Sequence, residues 1–292
     1  MTLSEIAGAV GGTVRDADPA LLVTGPACYD SREIEPGGLF VAFPGERVDG
    51  HDFAATAMAG GAAAVLAARP VGVPAVVVDD VQAAFGRLAA AVIERAPALT
   101  VIGVTGSVGK TTTKDLLGQV LSRLGPTVAP PGNRNNEIGI PTNVSLVVPD
   151  TRFLVCEFGA RHVGDVAYLA RLTRPRVGVV TTVGESHLSE FGSLANTTTA
   201  KGELVEALPA AGHAVLNADD PRVAGMAARS AAPVTFYGTG PAATVRAEDI
   251  VVDEHGRASF RMGTPAGSAH VRLRPGIGPR VHRHYRPASA RT

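Results

Sequence analysis

A chain of 292 residues supports about two domains, each long enough for a core of its own. Apolar residues make up 45% of it and charged residues 18%, which excludes disorder of the chain as a whole. The 27 basic and 27 acidic residues cancel, so the average charge points to neither nucleic acid nor a membrane as partner.

Charge is unevenly spread: every acid lies at or before Glu254, and eight arginines follow it. Cys28 and Cys156 lack metal-ligand spacing and read as buried thiols of a reducing compartment. The N-terminus lacks a basic region before its apolar residues, and Arg69, Pro70 and Pro74 interrupt the longest apolar stretch, so the sequence reads as cytoplasmic. Among the 27 basic residues only Lys110, Lys114 and Lys201 are lysines, so each invites a question.

In chain order, Thr2 and Glu5 form a capping-box pattern that opens a short helix ended by Gly11 and Gly12. Strands are predicted at 21–25, 38–43, 62–68 and 73–80, with helices over about 51–58 and 81–94. A domain ends near Pro97 and a second opens on the strand 99–106. From there helices at 110–124, 163–172, 197–208 and 219–229 alternate with strands at 153–157, 177–182, 213–217 and 234–238. That alternation predicts an α/β fold with a mostly parallel sheet covered on both faces, followed by a β-rich stretch at 245–253, 258–262 and 269–273. Residues 1–98 and 99–273 are the expected domains, and 274–292 reads as an unstructured Arg/His-rich tail.

The strongest chemical signal is VIGVTGSVGKTTTK, an apolar strand running into a glycine turn and then a helix at Lys110. Such a turn aims backbone N–H groups and a helix N-terminus at an anion. Lys110 can reach terminal phosphates, and the Thr111 or Thr112 hydroxyl can ligate Mg²⁺. Val104 stands where the longer phosphate-loop pattern has its first glycine, so this is the shorter form G-S-V-G-K-T; the plain alternative is an ordinary glycine turn. Glu157 ends the strand RFLVCEFG, on the edge where ligands of parallel sheets bind; a solvated strand-end glutamate is the alternative. His187 follows a third strand, where a loop histidine is also commonly structural. On its own Lys201 reads as a helix-surface lysine. The turn GTGPAA at 238–243 imitates a dinucleotide fingerprint, but a β-like run follows it, which argues against a cofactor there. The acceptor-like triplets at Asn143 and Asn196 read as helix or turn residues.

These pieces, in this order, resemble the Mur ligase family, and within it the type that adds D-alanyl-D-alanine to UDP-N-acetylmuramoyl-tripeptide. The resemblance rests on DSREIEPGGLFVAFPGERVDGHDF (30–53), GVTGSVGKTTTK (103–114), GNRNNEIGIP (132–141), CEFGARHVGDV (156–166), GESHLSEFGS (184–193), AKGEL (200–204) and LNADD (216–220). It implies that the first domain binds the UDP-sugar substrate, with Ser31 and Arg32 near the diphosphate, and that Gly106, Ser107, Val108, Gly109, Lys110, Thr111 and Thr112 bind ATP. It further implies that Thr111 and Glu157 hold one Mg²⁺, that His187 helps hold a second, and that Lys201 is carbamylated and serves that metal site. Asn135 and Asn136 would border the muramoyl-peptide. The implied reaction runs through an acyl phosphate on the tripeptide carboxylate, which the amine of D-alanyl-D-alanine then attacks, in a monomer with no nucleic-acid or membrane partner.

Family members continue beyond this length. No asparagine follows Asn217, so the adenine-contacting asparagine and the C-terminal domain of the family are missing, and the chain reads as truncated within its central domain. The loss of pattern near Arg274 is what a shifted reading frame would produce. A binding fragment without turnover and a folylpolyglutamate-type ligase are the competing readings; the 30–53 motif argues against the latter.

Overall fold

A computed structural model of the chain describes residues 1–45, 48–185 and 188–273. They fall into two compact units: residues 1–99 with 124–156 and 171–173, and residues 100–123 with 157–170 and the described residues from 174 to 273.

The first unit opens on α1 (Leu3–Val10), whose capping box is formed as expected: Glu5 N–H donates to Thr2 Oγ1 at 3.1 Å and Thr2 N–H to Glu5 Oε2 at 2.8 Å. It continues through β1 (Thr13–Arg15), β2 (Ala27–Cys28), β3 (Leu39–Val41), α2 (Ala54–Ala59), β4 (Ala64–Ala67), β5 (Ala75–Val77) and α3 (Val81–Glu94). The sheet order is β1-β5-β4-β3-β2, parallel except for β1. On one face Leu3, Ile6 and Val10 of α1 and Phe85 and Leu88 of α3 pack against Leu39, Val41, Leu66 and Val76. Alternate residues Phe40, Val65 and Ala75 form a second core with α2 on the other face. The strand expected at 21–25 does not form. Leu22 makes a single bridge to Thr2, and Leu21 and Leu22 are exposed, because no strand lies alongside them to pair with.

The chain then passes through β6 (Thr100–Thr105) and α4 (Lys110–Leu121). It rejoins the first unit for β7 (Thr127–Val128), α5 (Gly139–Val144) and β8 (Phe153–Glu157), whose last residue belongs to the second. Helix α5, absent from the expected elements, holds Gly, Pro and β-branched residues of low helix propensity. Side chains make it: Asn136 Oδ1 accepts Gly139 N–H at 2.8 Å, Thr142 Oγ1 donates to Ile138 O at 2.9 Å, and Ser145 Oγ donates to Thr142 O at 2.7 Å.

The second unit is completed by α6 (Asp165–Thr173), β9 (Val177–Val180), α7 (Leu188–Phe191), α8 (Leu194–Glu206), β10 (His213–Asn217), α9 (Pro221–Gly225), β11 (Val234–Gly238), β12 (Val245–Val252), β13 (Ala258–Thr264) and β14 (Gly267–Arg272). Its strands run in the order β14-β13-β12-β11-β10-β9-β6. From β6 to β12 the pairs are parallel, and β12, β13 and β14 are antiparallel, so the expected alternation and the β-rich ending both form. Thr105 pairs with Val180 and Val180 with Leu216, which brings the carboxyl ends of β6, β9 and β10 to one edge. Gly103 and Gly178 face each other in the register, and a Cβ on either would touch Leu204 at 3.0 to 3.1 Å, so α8 lies close on this part of the sheet. Ile250, Val251 and Val252 of β12 are exposed. The tail after residue 273 lies outside the described residues.

Candidate active site

At the carboxyl edge of the second unit, β6 ends and Gly106 to Gly109 turn the chain into α4. Gly109 holds φ +87°, a left-handed conformation that side chains disfavour. At Gly106 a Cβ would collide with Thr181 Oγ1. No side chain caps α4, so its first-turn N–H groups and the positive end of its dipole are left for an anion. Gly109→Ala, where nothing lies within 4 Å of the added Cβ, carries only the backbone strain of about 1 kcal/mol. Chemical denaturation is expected to show that loss, together with weaker phosphate binding by calorimetry.

The segment after β9 clamps this turn. Ser107 N–H donates to Thr182 O at 2.8 Å, and Gly184 N–H donates to Ser107 Oγ at 2.8 Å. Val108 N–H donates to Thr182 Oγ1 at 3.3 Å, and Thr181 Oγ1 donates to Val108 O at 2.6 Å. Val108 is therefore held by its backbone while its side chain is exposed.

Lys110 is half-buried and folds back so that Nζ donates to Gly106 O at 2.9 Å. Burial pushes its pKa down, and the nearby Glu157 carboxylate opposes the shift. Thr111 Oγ1 donates to Glu157 Oε2 at 2.6 Å, and Thr112 is half-buried on the same first turn. Glu157 is 4% exposed. Its neighbour Phe158 donates its N–H to Val104 O at 2.8 Å and accepts from Thr105 Oγ1 at 3.0 Å, which fixes the carboxylate beside the end of β6. A half-buried hydroxyl and a buried carboxylate held together are hard oxygen donors that suit Mg²⁺, which keeps most of its waters and takes one or two protein ligands. Among the described residues no group of three or more His, Cys, Asp or Glu gathers into a fuller cage. His187 lies outside the described residues.

Lys201 does not lie on the helix surface. It is 4% exposed, its Nζ is 5.6 Å from the centroid of the Phe191 ring, and burial, aided by the positive charge of Lys110, pushes its pKa down to about 8. The sequence carried a signal for this: Thr197, Ala200, Lys201, Leu204, Val205 and Leu208 recur at helical spacing, and all are buried. Glu203, also buried and not singled out from sequence, accepts Gly164 N–H at 2.6 Å and Ala167 N–H at 2.9 Å, capping α6 from α8. With only three lysines in the chain, acylation followed by mass spectrometry can resolve Lys201. Its labelling is expected to reach half-maximum near pH 8, against an ordinary value of 10.5. Because the folded pKa is the lower one, Lys201 penalises the fold below pH 8 and the penalty is relieved as the pH rises toward 10.5.

Ser31, Arg32, Asn135 and Asn136 belong to the first unit. Ser31 and Asn135 are half-buried, and Arg32 is exposed. Arg32 grips Asp30 through Nε at 2.8 Å and Nη2 at 2.5 Å, holding that carboxyl down to about 2. Asn136 is exposed, yet its Oδ1 is used to start α5. Arg134, not singled out from sequence, pairs with Glu33 at 2.8 Å, and Asn143 Nδ2 donates to Arg134 O at 2.9 Å, so the 131–137 segment is tied to the Asp30–Glu33 stretch. An apolar cavity of about 480 Å³ in this unit, lined by Ile6, Val23, Phe85, Leu88, Pro141 and Leu146 among others, holds none of Ser31, Arg32, Asn135 and Asn136. Among the described residues no helix is long and apolar enough to cross a membrane.

Residues 104–275 match the Mur ligase middle domain, and residues 27–103 match the Mur ligase family, catalytic domain. The chain belongs to the Mur ligase family. It is 46% identical over 300 residues to the UDP-N-acetylmuramoyl-tripeptide--D-alanyl-D-alanine ligase of Mycobacterium tuberculosis, covering 94% of this chain and 59% of that ligase. To the ligase of the same name from Escherichia coli it is 39% identical over 281 residues, covering 94% and 60%. Its fold matches the crystal structure of MurF from Acinetobacter baumannii with a TM-score of 0.83 at 34% identity, over 93% of this chain and 60% of that one. The MurF ligase of Thermotoga maritima in complex with ADP matches with a TM-score of 0.74 at 30% identity, over 86% and 58%. The chain thus spans about 59% of the length of the first of these curated relatives.

Proposed function

We propose that the protein serves as an ATP-dependent ligase that joins D-alanyl-D-alanine to UDP-N-acetylmuramoyl-tripeptide in peptidoglycan precursor synthesis, acting in the cytoplasm as a monomer. The observation that carries this reading is the meeting of the Gly106–Thr112 turn with the buried Glu157 carboxylate, which accepts the Thr111 hydroxyl at 2.6 Å, in a Mur ligase middle domain. The two relatives named above, 46% and 39% identical, carry this ligase name, which favours this type over a folylpolyglutamate-type ligase.

In this reading residues 1–98 bind the UDP-sugar, with Ser31 and Arg32 at the diphosphate, Asn135 and Asn136 border the peptide, and residues 99–273 handle ATP. Backbone N–H groups of the turn and the Lys110 ammonium receive the β- and γ-phosphates. Thr111 and Glu157 would hold Mg²⁺, which supplies charge neutralisation at the phosphates when bound. His187 would serve a second ion. Two anions must meet, since an oxygen of the tripeptide carboxylate attacks the γ-phosphorus and the bond to ADP breaks. Concentrated positive charge is what that encounter requires. The D-alanyl-D-alanine amine then attacks the acyl carbon, phosphate leaves and the amine gives up a proton. A Lys201 amine with its pKa near 8 is partly neutral at physiological pH, as addition of CO₂ to form a carbamate requires.

The test is phosphate release by the purified chain with ATP, Mg²⁺ and both substrates. Release that depends on all of them supports the ligase. A folded chain that binds nucleotide and UDP-substrate without release supports a binding fragment instead.

A further inference from the structure

The LNADD segment, residues 216–220, closes β10 at the sheet edge that carries the phosphate turn, yet none of its side chains belongs to the turn itself. Its three polar residues divide their work. Asp219 accepts Thr239 N–H at 2.7 Å, Thr239 Oγ1 at 2.8 Å and Gly240 N–H at 3.0 Å, filling the GTG turn with a carboxylate of the chain itself. Asn217 and Asp220 reach the segment after β9. Asn217 Nδ2 donates to Thr181 O at 2.9 Å, and Asp220 Oδ2 accepts Val183 N–H at 2.7 Å while its Oδ1 caps α9 through Arg222 N–H at 3.0 Å.

Thr181 to Gly184 lie outside regular secondary structure; Thr181 N–H donates to Thr105 O at 3.0 Å and carries the β6–β9 pairing one residue further, and the residues after it are set by bonds outside the ladder. They are gripped on both flanks. On one, Thr181, Thr182 and Gly184 hold Ser107 and Val108 by the hydrogen bonds between 2.6 and 3.3 Å already given. On the other stand Asn217 and Asp220. We infer that Asn217 and Asp220 are positioning residues for the phosphate-binding turn, acting through Thr181–Gly184. An oriented N–H group loses much of its value to an anion when it is displaced by a fraction of an ångström. The inference rests on the reading that Gly106–Thr112 bind phosphate.

Asn217→Leu and Asp220→Asn separate this role from a merely structural one, with Asp219→Asn as the internal comparison, since Asp219 braces a turn that does not touch the phosphate loop. Affinity for ADP and for tripolyphosphate, each with Mg²⁺, is measured by calorimetry on the whole chain, and folding is followed by circular dichroism and thermal melting. Asn217→Leu and Asp220→Asn are each expected to weaken both ligands about tenfold, the worth of one hydrogen bond of this kind. Asp219→Asn is expected to lower the melting temperature while leaving both affinities within about twofold. Tripolyphosphate carries no adenine, so a parallel loss on both ligands assigns the effect to the phosphate turn. Folded Asn217→Leu and Asp220→Asn chains that bind like wild type, or an equal loss in Asp219→Asn, overturn the inference and leave the phosphate reading standing. A wild-type chain that binds neither ligand overturns the phosphate reading and the inference with it.

Discussion

Lys110→Ala is expected to lower ATP-dependent phosphate release about a thousandfold, the effect of removing a preorganised charge from the site of phosphoryl transfer. The side chain is already poised for that work: it starts α4, is half-buried and hangs from Gly106 O at 2.9 Å, so moving onto a phosphate exchanges one neutral acceptor for an anionic one. Its loss removes the bond to Gly106 O and a longer one to Ser107 O at 3.5 Å, together worth about 1 kcal/mol or about 2 to 4 °C in melting temperature. Lys110→Arg keeps the charge but brings a planar fork where a compact ammonium fits, and is expected to restore only part of the rate. Equal release by the wild-type and Lys110→Ala chains would remove the turn from the reaction.

The turn was legible because a strand, its glycines and a helix start are all local. Periodicity likewise marked helices α3, α4, α6 and α8 and the core strands of both units. What local pattern missed was made by partners distant in sequence or by side chains acting as caps. β1, β2 and β7 have two or three residues each, too few to show alternation, and exist through the strands beside them. Leu21 and Leu22 had strand-like character but find only the start of α1 beside them, with a single bridge from Leu22 to Thr2. Helix α5 was hidden by Gly139 and Pro141, and its formation spends the side chain of Asn136, which the resemblance gave to substrate. Lys201 was hidden by its type: a lysine among threonines and alanines reads as solvated, although its spacing on α8 places it on the buried stripe. Asn217 and Asp220 stood within a noted motif, but their use depends on the register that aligns β6, β9 and β10, which no single segment encodes.

That alignment frames the second large effect, at Glu157. Glu157→Gln keeps the volume and still accepts the Thr111 hydroxyl now at 2.6 Å, so the loss of charge is the main change it makes. A carboxylate that is 4% exposed costs free energy to bury, and the positive Lys110 nearby offsets part of that cost. The neutral variant is therefore expected to match wild type in denaturant unfolding or to gain about 1 kcal/mol. Turnover should move the other way, falling about a hundredfold, with the Mg²⁺ concentration for half-maximal rate rising, because an amide is a poor donor to a hard cation. A glutamate kept only for the fold would give the opposite pattern, with stability lost and the Mg²⁺ response unchanged. The two signs together, stability held and apparent Mg²⁺ affinity weakened, separate a carboxylate that serves phosphoryl transfer from one that serves the fold.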